Sequence, residues 1–273
     1  MREIGYAKLN LALHVRAREP DGYHRIETVF AFCQHGDVLE AGEPRQGNAI
    51  ELQVSGAFAE ALRPEPMETN LVHRAALAFR ERFGVTRGVR LRLDKNLPVA
   101  AGIGGGSADA AAALRLLALW WDVPADPEAL HAIARQLGAD VPACLVSRTM
   151  RGEGRGDDLI EVDDSAISGK PVLLVNPRVA VPTGPVFARW DEVDRGPLGD
   201  DLIGRNDLEA PARAIAPAIG EVLDALAGAP AAAMSGSGGT CFGLYDSEAN
   251  RDAAAARLGA ARPDWWLLRT RLR

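Results

Sequence analysis

The sequence contains few cysteines, and their spacing suggests no pairing. Its 273 residues include three, Cys33, Cys144 and Cys241, which lie far apart and form no Cys-x-x-Cys motif. An odd, scattered set of this kind argues against a disulfide framework and a zinc site, and it is typical of reduced thiols in a cytosolic protein. We therefore predict a cytoplasmic location.

The sequence also lacks a long hydrophobic run. The longest, residues 110–121, contains Arg115 and is too short to span a bilayer. The first residues carry Arg2, Glu3 and Lys8, without the apolar segment that signal peptides require. We therefore expect neither a secretion signal nor a membrane partner.

An excess of positive charge is absent as well. Lysine and arginine number 31 against 37 acidic residues, which gives a net charge of −6. Nucleic-acid-binding proteins are usually basic, so no nucleic-acid partner is expected. The contents of 47% hydrophobic and 25% charged residues are those of an ordinary soluble globular protein, of a length that suits one large or two modest domains.

The most informative segment is the glycine-rich stretch 98–109, Pro-Val-Ala-Ala-Gly-Ile-Gly-Gly-Gly-Ser-Ala-Asp. It follows a strand-like run at 89–93 and precedes a strongly helix-forming run. Backbone N–H groups in such a loop, followed at once by a helix N-terminus, suit the binding of a phosphate. We predict Ser107 as the N-cap of the helix, and Asp109 in its first turn as a residue able to hold Mg²⁺ at the phosphate.

Spacing excludes the better-known phosphate-binding motifs. A P-loop needs a lysine before its serine or threonine, whereas Gly106 directly precedes Ser107. The dinucleotide pattern that begins at Gly102 fails at Ser107, and the protein-kinase motifs His-Arg-Asp and Asp-Phe-Gly do not occur. A flexible hinge without a ligand is the alternative.

Residues 4–15 alternate with the two-residue period of a strand. One face is apolar and includes Leu9 and Leu11, while the other carries Lys8 and Asn10. Two interpretations stay open for the polar face, because it could line a cleft or face solvent.

A turn sequence at 19–22, Glu-Pro-Asp-Gly, precedes Tyr23 and His24. An aromatic ring and an imidazole in this place are suited to stacking on a flat ring and to hydrogen-bonding its edge. Half-buried packing is the alternative role for both residues.

Asp140 lies in a loop, Gly-Ala-Asp-Val-Pro, beyond a helix predicted at 127–137 with Gly138 as its cap. A carboxylate gains nothing from the dipole at a helix C-terminus, so Asp140 calls for a lysine partner or a catalytic task. An exposed turn aspartate is the alternative. Asn70 begins another predicted helix, 69–83, where capping is its simplest role.

The second half of the chain contains a further glycine-rich loop. A polar stretch at 151–158 predicts a domain boundary. Beyond it the pattern predicts strands at 172–175 and 265–268, a loop at 181–187, a helical stretch from 206 past 226, a glycine-serine loop at 234–240, and a helix at 253–258.

Three motifs, in order, resemble those of the GHMP kinases, the family of galactokinase, homoserine kinase and mevalonate kinase. They are a lysine-bearing N-terminal strand, Pro-x-x-x-Gly-Ile-Gly-Gly-Gly-Ser-Ala-Asp, and Ser-Gly-Ser-Gly-Gly near the C-terminus. The resemblance implies an α+β chain with the two-domain GHMP kinase fold. The ATP-binding α/β domain would be 1–155, and an α+β domain with an antiparallel sheet would be 156–273.

Shorter segments resemble the branch of the family whose substrate carries a cytidine diphosphate. They are Ala-Lys-Leu-Asn-Leu at 7–11, Pro-Asp-Gly-Tyr-His at 20–24, Lys-Asn-Leu-Pro at 95–98, Gly-Ala-Asp-Val-Pro at 138–142 and Asn-Asp-Leu-Glu at 206–209. The resemblance implies transfer of the γ-phosphoryl group of ATP, with Mg²⁺, to the 2-hydroxyl of a methylerythritol unit in non-mevalonate isoprenoid biosynthesis. Another GHMP small-molecule kinase and a non-catalytic nucleotide-binding protein of this fold are the alternatives.

The resemblance also implies a role for each candidate residue. Asp140 would accept the hydroxyl proton or orient the hydroxyl, and Lys8 would pair with Asp140 and stabilise charge on the transferred group. The ATP-binding candidates are Asn70, Lys95, Asn96, Pro98, Val99, Ala100, Ala101, Gly102, Ile103, Gly104, Gly105, Gly106, Ser107 and Ala108, with Mg²⁺ near Ser107. The candidates for the small-molecule cytidine diphosphate substrate are Asn10, Tyr23, His24, Thr183, Phe187, Ser235, Gly236, Ser237 and Gly238. A homodimer is left open.

Overall fold

The computed structural model describes residues 1–62 and 66–273, which divide into two compact units. The first unit contains Met1–Ala7, His35–Val99 and Gly104–Ser147. The second contains Lys8–Gln34, Ala100–Ile103 and Arg148–Arg273. The two units are interleaved in sequence, because each consists of three separate segments of the chain. The domain division at 155/156 stays a prediction.

The described residues form ten strands and eight α-helices. The strands are β1 (Arg2–Arg18), β2 (His24–Gly42), β3 (Ile50–Ser55), β4 (Val89–Asp94), β5 (Met150–Glu153), β6 (Asp158–Glu161), β7 (Pro171–Asn176), β8 (Ala231–Met234), β9 (Cys241–Leu244) and β10 (Trp266–Arg271). The helices are α1 (Leu71–Phe83), α2 (Gly105–Trp120), α3 (Pro127–Leu137), α4 (Val141–Val146), α5 (Thr183–Phe187), α6 (Glu209–Ile215), α7 (Ala218–Ala225) and α8 (Glu248–Ala261). Two short 3-10 helices cover Ala59–Leu62 and Met67–Thr69.

The first unit combines a sheet with four helices. β4 pairs in parallel with β3 and antiparallel with the last residues of β2. Helix α1 packs against α2 and α3, and α2 packs against α4. The ring of Phe79 lies 5.6 Å from that of Trp121 inside this unit, both rings being buried. Alternating leucines of β4, Leu91 and Leu93, are buried as well, as the two-residue period requires.

The second unit is built on an antiparallel sheet in the order β10-β7-β9-β8. All six residues of β7 are buried, which explains why its sequence is an apolar run without alternation. Helices α7 and α8 pack on this sheet, and Leu173, Ile219 and Leu258 contribute to its core. In the same unit, the first residues of β2 pair with β5, with Thr28 opposite Gly152.

Most of the predicted elements are confirmed. α3 has the predicted bounds because Asp126 accepts a hydrogen bond from the backbone N–H of Glu128 and a proline follows Asp126 directly. The predicted strands at 4–15, 89–93 and 172–175 lie inside β1, β4 and β7. The helix expected at 253–258 and the strand expected at 265–268 correspond to α8 and β10.

The polar stretch 151–158 belongs to the β5–β6 hairpin, in which glycines at positive φ form the turn. Two expectations about the second half are wrong. The segment 181–187 contains helix α5. The helical stretch from residue 206 is two helices, α6 and α7, because Ala216 leaves the helical region just before Pro217. In the described part of the chain, no helix combines the length and apolar character needed to cross a bilayer.

Candidate active site

The glycine-rich stretch enters α2 through residues in the left-handed region. Gly102 has φ +73° and Gly104 has φ +64°. Gly104 is the N-cap of α2, so Ser107 is the third residue of the helix, and its prediction as N-cap is wrong. A left-handed glycine takes that place because it turns the chain into the helix without a steric cost. The first N–H groups of α2, beginning at Gly105, have no carbonyl partner within the helix and can face an anion.

Asp109 is the fifth residue of α2, not part of its first turn, and that expectation is wrong. Its Oδ2 accepts a hydrogen bond of 2.7 Å from Lys95 Nζ, and its side chain is buried. The Lys95 ammonium also donates to Asp37 Oδ2, and the Lys95 side chain is 2% exposed. Lys95 is therefore held inside the first unit by two carboxylates, an arrangement that does not favour direct contact between its ammonium and a nucleotide. Its assignment to ATP stays a prediction.

Burial and the neighbouring charges shift the pKa values of Asp109 and Lys95. Burial raises the pKa of Asp109 to about 7, against the attraction of Lys95 and with the help of the Asp37 charge. Burial lowers the pKa of Lys95, but Asp109 and Asp37 outweigh it and hold that pKa above its usual value. Lys95 therefore stays cationic, whereas Asp109 can exchange a proton near neutrality.

Two asparagines of the first unit were predicted to lie near the nucleotide. Asn70 is the N-cap of α1, where its Oδ1 accepts a 2.9 Å hydrogen bond from the N–H of Val72. Asn96 is exposed, and its amide donates to the carbonyl oxygen of Asp94 at 3.1 Å. Capping is thus confirmed for Asn70, while nucleotide contacts stay predictions for both residues.

The polar face of β1 is buried, so the solvent-facing interpretation is wrong. In the second unit, Lys8 Nζ donates to Asn10 Oδ1 at 2.9 Å and lies 5.0 Å from the centre of the Phe30 ring. The amide of Asn10 donates to Thr28 Oγ1 at 2.8 Å. Lys8 and Asn10 are each 3% exposed. A buried lysine in a fixed orientation is what a catalytic role would need.

The second glycine loop packs on the Ala100–Ile103 segment of the first, within the second unit. Ser235 Oγ accepts the N–H of Asn10 at 3.1 Å and donates to the carbonyl oxygen of Gly102 at 2.8 Å. Ser235 is fully buried, and its hydroxyl joins β1 to the first loop, while its contact with a substrate stays a prediction. A Cβ on Gly236 would lie 2.8 Å from that same carbonyl oxygen of Gly102.

Further polar contacts fix the second loop. The Asn206 amide donates to the carbonyl oxygens of Met234 and Gly236, at 2.9 and 2.8 Å. The hydroxyls of Thr183 and Ser237 are 2.9 Å apart. The supporting role of Asn206 was missed, although its motif, Asn-Asp-Leu-Glu, was visible in the sequence. Substrate contacts of Thr183, Ser237 and Gly238 stay predictions.

An aromatic cluster of the second unit brings two of the predicted substrate residues together. The centre of the His24 ring lies 5.0 Å from that of Phe187 and 5.8 Å from that of Trp190, an indole that sequence reasoning missed. Burial, followed by the charge of Arg18, lowers the pKa of His24 below 6.5, which favours a neutral imidazole.

Tyr23 beside this cluster is 54% exposed, so half-buried packing is wrong for Tyr23. The guanidinium of Arg155 lies 4.0 Å from the centre of its ring and pairs with Asp21. This cation–π contact with Arg155 restricts the orientation of the Tyr23 ring, which is otherwise exposed to solvent.

Asp140 lies in the first unit and immediately precedes α4, a helix that was not predicted. The expectation that its environment is only a helix C-terminus is therefore wrong, because the N-terminus of α4 favours a carboxylate. Asp140 is half-buried, and its side chain makes no capping hydrogen bond to α4. The pairing of Asp140 with Lys8 stays a prediction.

Comparisons with known proteins identify the class. The model of the GHMP kinases N terminal domain matches residues 70–148, and that of the GHMP kinases C terminal matches 196–264. The fold agrees with a solved homoserine kinase from Cytophaga hutchinsonii at a TM-score of 0.68, with 18% identity over 97% of this chain and 94% of the other. Two domains of this kind define a GHMP-type small-molecule kinase, and hence a phosphotransferase.

Full-length relatives narrow the class further. A protein of Rhizorhabdus wittichii, 57% identical over 99% of this chain and 94% of its own, is a 4-diphosphocytidyl-2-C-methyl-D-erythritol kinase. One of Sphingopyxis alaskensis has the same name, with 51% identity over 100% of this chain and 99% of its own. A crystal structure of 4-(cytidine 5'-diphospho)-2C-methyl-D-erythritol kinase matches with a TM-score of 0.82 and 32% identity, covering 100% of this chain and 99% of the other. The chain belongs to this family of kinases.

Proposed function

We propose that the protein transfers the γ-phosphoryl group of ATP to the 2-hydroxyl of 4-diphosphocytidyl-2-C-methyl-D-erythritol, giving the 2-phosphate and ADP in non-mevalonate isoprenoid biosynthesis. The observation that carries this proposal is the 57% identity, over nearly all of both chains, to a kinase named for that substrate. The buried Lys8 and the aromatic cluster around His24 support the proposal from the structure.

Asp140 and Lys8 are the proposed catalytic pair. The Asp140 carboxylate accepts the proton of the attacking hydroxyl, or orients that hydroxyl toward the phosphorus. The Lys8 ammonium neutralises the charge that develops on the transferred group, which is effective because Lys8 is shielded from water. Asn10 and Phe30 hold the ammonium in place for this task.

The phosphates of ATP lie along the glycine-rich stretch 98–108 in this proposal, with N–H groups at the start of α2 as donors. Asn70 and Asn96 lie near the nucleotide. Among the described residues, no group of three or more His, Cys, Asp or Glu side chains could hold a metal ion. The Ser107 hydroxyl would hold Mg²⁺ together with the nucleotide phosphates, and the ion would supply charge neutralisation.

In this proposal the aromatic residues bind the cytosine base of the substrate. Tyr23 and Phe187 offer ring faces for stacking, and the neutral imidazole of His24 can hydrogen-bond the edge of the base. Stacking of this kind contributes about 1–3 kcal/mol for each base, enough to explain why a small polyol is recognised through its nucleotide. Asn10, Thr183 and the 235–238 loop complete the proposed substrate contacts.

Domain organisation, assembly and location complete the proposal. We place the ATP-binding domain at 1–155 and the C-terminal domain at 156–273, and the protein in the cytoplasm. A homodimer is the proposed alternative to a monomer. Analytical ultracentrifugation of the purified protein measures the assembly directly.

The experiment that tests the function is a coupled assay of ADP release from ATP. Release should require the cytidylyl substrate, and homoserine or mevalonate should not replace that substrate. Turnover with either of these compounds, or ADP release that ignores the cytidylyl substrate, would contradict the proposal.

The proposed base is tested with Asp140→Asn. We expect kcat to fall by about 10²–10⁴-fold, because proton acceptance is lost while the nucleotide contacts remain. Asp224→Asn, at an exposed aspartate of α7, is the matched control and should keep its turnover. An Asp140→Asn enzyme with most of its kcat would exclude the assignment.

A further inference from the structure

Arg155 lies over one face of the Tyr23 ring, with its guanidinium 4.0 Å from the centre of that ring. Arg155 belongs to the turn between β5 and β6, whereas Tyr23 directly precedes β2. Both residues lie in the second unit. The contact therefore joins two segments that are distant in sequence, and it covers a residue that the proposed function assigns to the cytosine base.

Asp21 holds both partners of this contact. Its Oδ1 accepts the backbone N–H of Tyr23 at 3.0 Å, and its Oδ2 pairs with the guanidinium of Arg155. One carboxylate thus fixes the backbone that carries the ring and the cation that covers the ring. About half of each side chain in the pair is exposed, so the pair contributes little to the stability of the fold. Its main effect is on the orientation of Arg155.

The backbone on both sides of the contact is fixed as well. The N–H of Ile26 donates to the carbonyl oxygen of Gly154, the residue before Arg155, at 2.8 Å. The N–H of Glu19 donates to the carbonyl oxygen of Tyr23 at 2.7 Å, which closes the turn before β2. Arg155 and Tyr23 therefore start from fixed backbone positions, and the cation–π contact restricts the side-chain torsions that remain.

The contact leaves Tyr23 able to bind a planar ligand on one side. An aromatic ring has two faces, and the guanidinium covers one face of Tyr23. A cation in this place is attracted by the electron density of the ring, which limits rotation of the ring. Tyr23 nevertheless stays 54% exposed, so the ring retains open surface for a base to stack on.

We propose that Arg155 is a positioning residue for the cytidylyl substrate: it holds the Tyr23 ring in place and leaves the opposite face of that ring for the cytosine base. This proposal rests on the proposed function, because it takes Tyr23 as a stacking partner of the base. Arg155 acts through Tyr23 and does not itself contact the substrate. It favours binding because a ring that is already oriented loses less side-chain freedom when the base stacks on it.

Arg155→Ala tests this role in steady-state kinetics. At saturating ATP, kcat/KM for the cytidylyl substrate should fall about two- to fivefold, the factor that an exposed cation–π contact is worth. The values of kcat and of KM for ATP should stay at those of the wild type, because only binding of the base is affected. Arg155→Lys should recover much of the loss, since an ammonium can also lie over the ring and pair with Asp21.

Arg148→Ala is the matched control. Arg148 is also an exposed arginine in an ion pair, with Glu161 at 3.7 Å, near the other end of the same hairpin. Its removal should leave all kinetic constants unchanged. If Arg155→Ala lowers kcat, or changes KM for ATP as much as KM for the cytidylyl substrate, its role is structural and the proposal is overturned.

A double variant separates positioning from direct contact with the substrate. In a Tyr23→Ala background, Arg155→Ala should have no further effect on kcat/KM for the cytidylyl substrate, because the residue through which it acts is gone. A loss of equal size in both backgrounds would show that Arg155 contacts the substrate itself, for example its diphosphate. That result, or no loss in either background, would overturn the proposal.

A measurement without turnover keeps this proposal distinct from the proposed function. The chain has three tyrosines, so NMR of selectively labelled tyrosine resolves the Tyr23 ring. Arg155→Ala, unlike Arg148→Ala, should shift the ring signals of Tyr23 in the free protein. Cytidine 5′-diphosphate should bind Arg155→Ala about two- to fivefold more weakly than the wild type.

Unchanged Tyr23 signals, or equal affinity of the wild type and Arg155→Ala for cytidine 5′-diphosphate, would overturn the positioning role. A wild-type protein that binds no cytidine 5′-diphosphate and releases no ADP with the cytidylyl substrate would instead overturn the proposed function, on which this role depends.

Discussion

Gly102 is a position at which we expect even the smallest side chain, a methyl group, to destabilise the fold. In Gly102→Ala, the new Cβ would collide with the carbonyl oxygen of Ser235 and lie 2.6 Å from that of Gly238. Both neighbours are backbone atoms of the second glycine loop, which cannot rotate away as the end of a flexible side chain can. The φ of +73° adds strain, because residues with a Cβ rarely adopt that region.

The backbone strain and the steric collision in Gly102→Ala each lower the free energy of unfolding, and the two costs can be estimated separately. A left-handed conformation costs a residue with a Cβ about 1–2 kcal/mol. Forcing an extra carbon into a closely packed place costs about 1–3 kcal/mol more, as neighbouring backbone shifts. We therefore expect Gly102→Ala to lower the free energy of unfolding by about 2–5 kcal/mol. The shift should also raise KM for ATP, because Gly102 lies in the proposed phosphate loop.

Gly84→Ala is the matched control for the backbone contribution. Gly84 has a similar φ of +64° at the end of α1, but a Cβ there would meet nothing within 4 Å. Urea unfolding of both variants should give a loss of about 1–2 kcal/mol for Gly84→Ala and a clearly greater loss for Gly102→Ala. Equal losses would refute the reasoning, since the close approach of the two loops would then carry no cost.

Three further predictions rest on single side chains. Ser235→Ala removes the hydroxyl that bonds the N–H of Asn10 and the carbonyl oxygen of Gly102, so the free energy of unfolding measured in urea should fall by about 1–3 kcal/mol. An unchanged unfolding midpoint would contradict the bridging role of Ser235. Tyr23→Ala should raise KM for the cytidylyl substrate more than KM for ATP, and equal effects in steady-state kinetics would count against the cytosine clamp. Because the folded-state pKa of Asp109, about 7, lies above the usual aspartate value of 3.8, the folded protein binds more protons than the unfolded chain between these pH values. The free energy of unfolding should therefore decrease with rising pH in this range. Asp109→Asn should weaken this decrease in unfolding titrations, and an identical slope would speak against the raised pKa.

Local signals explain which elements could be predicted. The sequence Asp-Pro before an amphipathic run defines the start of α3, and the apolar run of β7 reflects burial of the whole strand. Helix α4 escaped prediction because it has only six residues and begins three residues after Gly138, too short a segment to show a helical periodicity of its own. The β5–β6 hairpin escaped because its turn glycines and charges have the composition of a linker.

The residues of the candidate site also include some that local motifs could predict and some that they could not. Lys8, His24 and the two glycine loops could be found from motifs, because their residue types and order along the chain are specific. The Asp37–Lys95–Asp109 cluster could not, since Asp37 is 58 residues from Lys95 and no local pattern connects them. The bridging role of Ser235 was hidden for the same reason, as its hydroxyl contacts Asn10 across 225 residues of sequence.

The interleaving of the two compact units has a consequence for how the protein can be made and divided. The chain passes between them at 7/8, 34/35, 99/100, 103/104 and 147/148, so neither unit is one continuous peptide. No single truncation isolates either of them, and the second cannot be completed during synthesis until β10 has left the ribosome. A proteolytic cut within residues 100–103 would divide the sequence of each unit between two fragments. We therefore expect a cut at this site to reduce the cooperativity of unfolding.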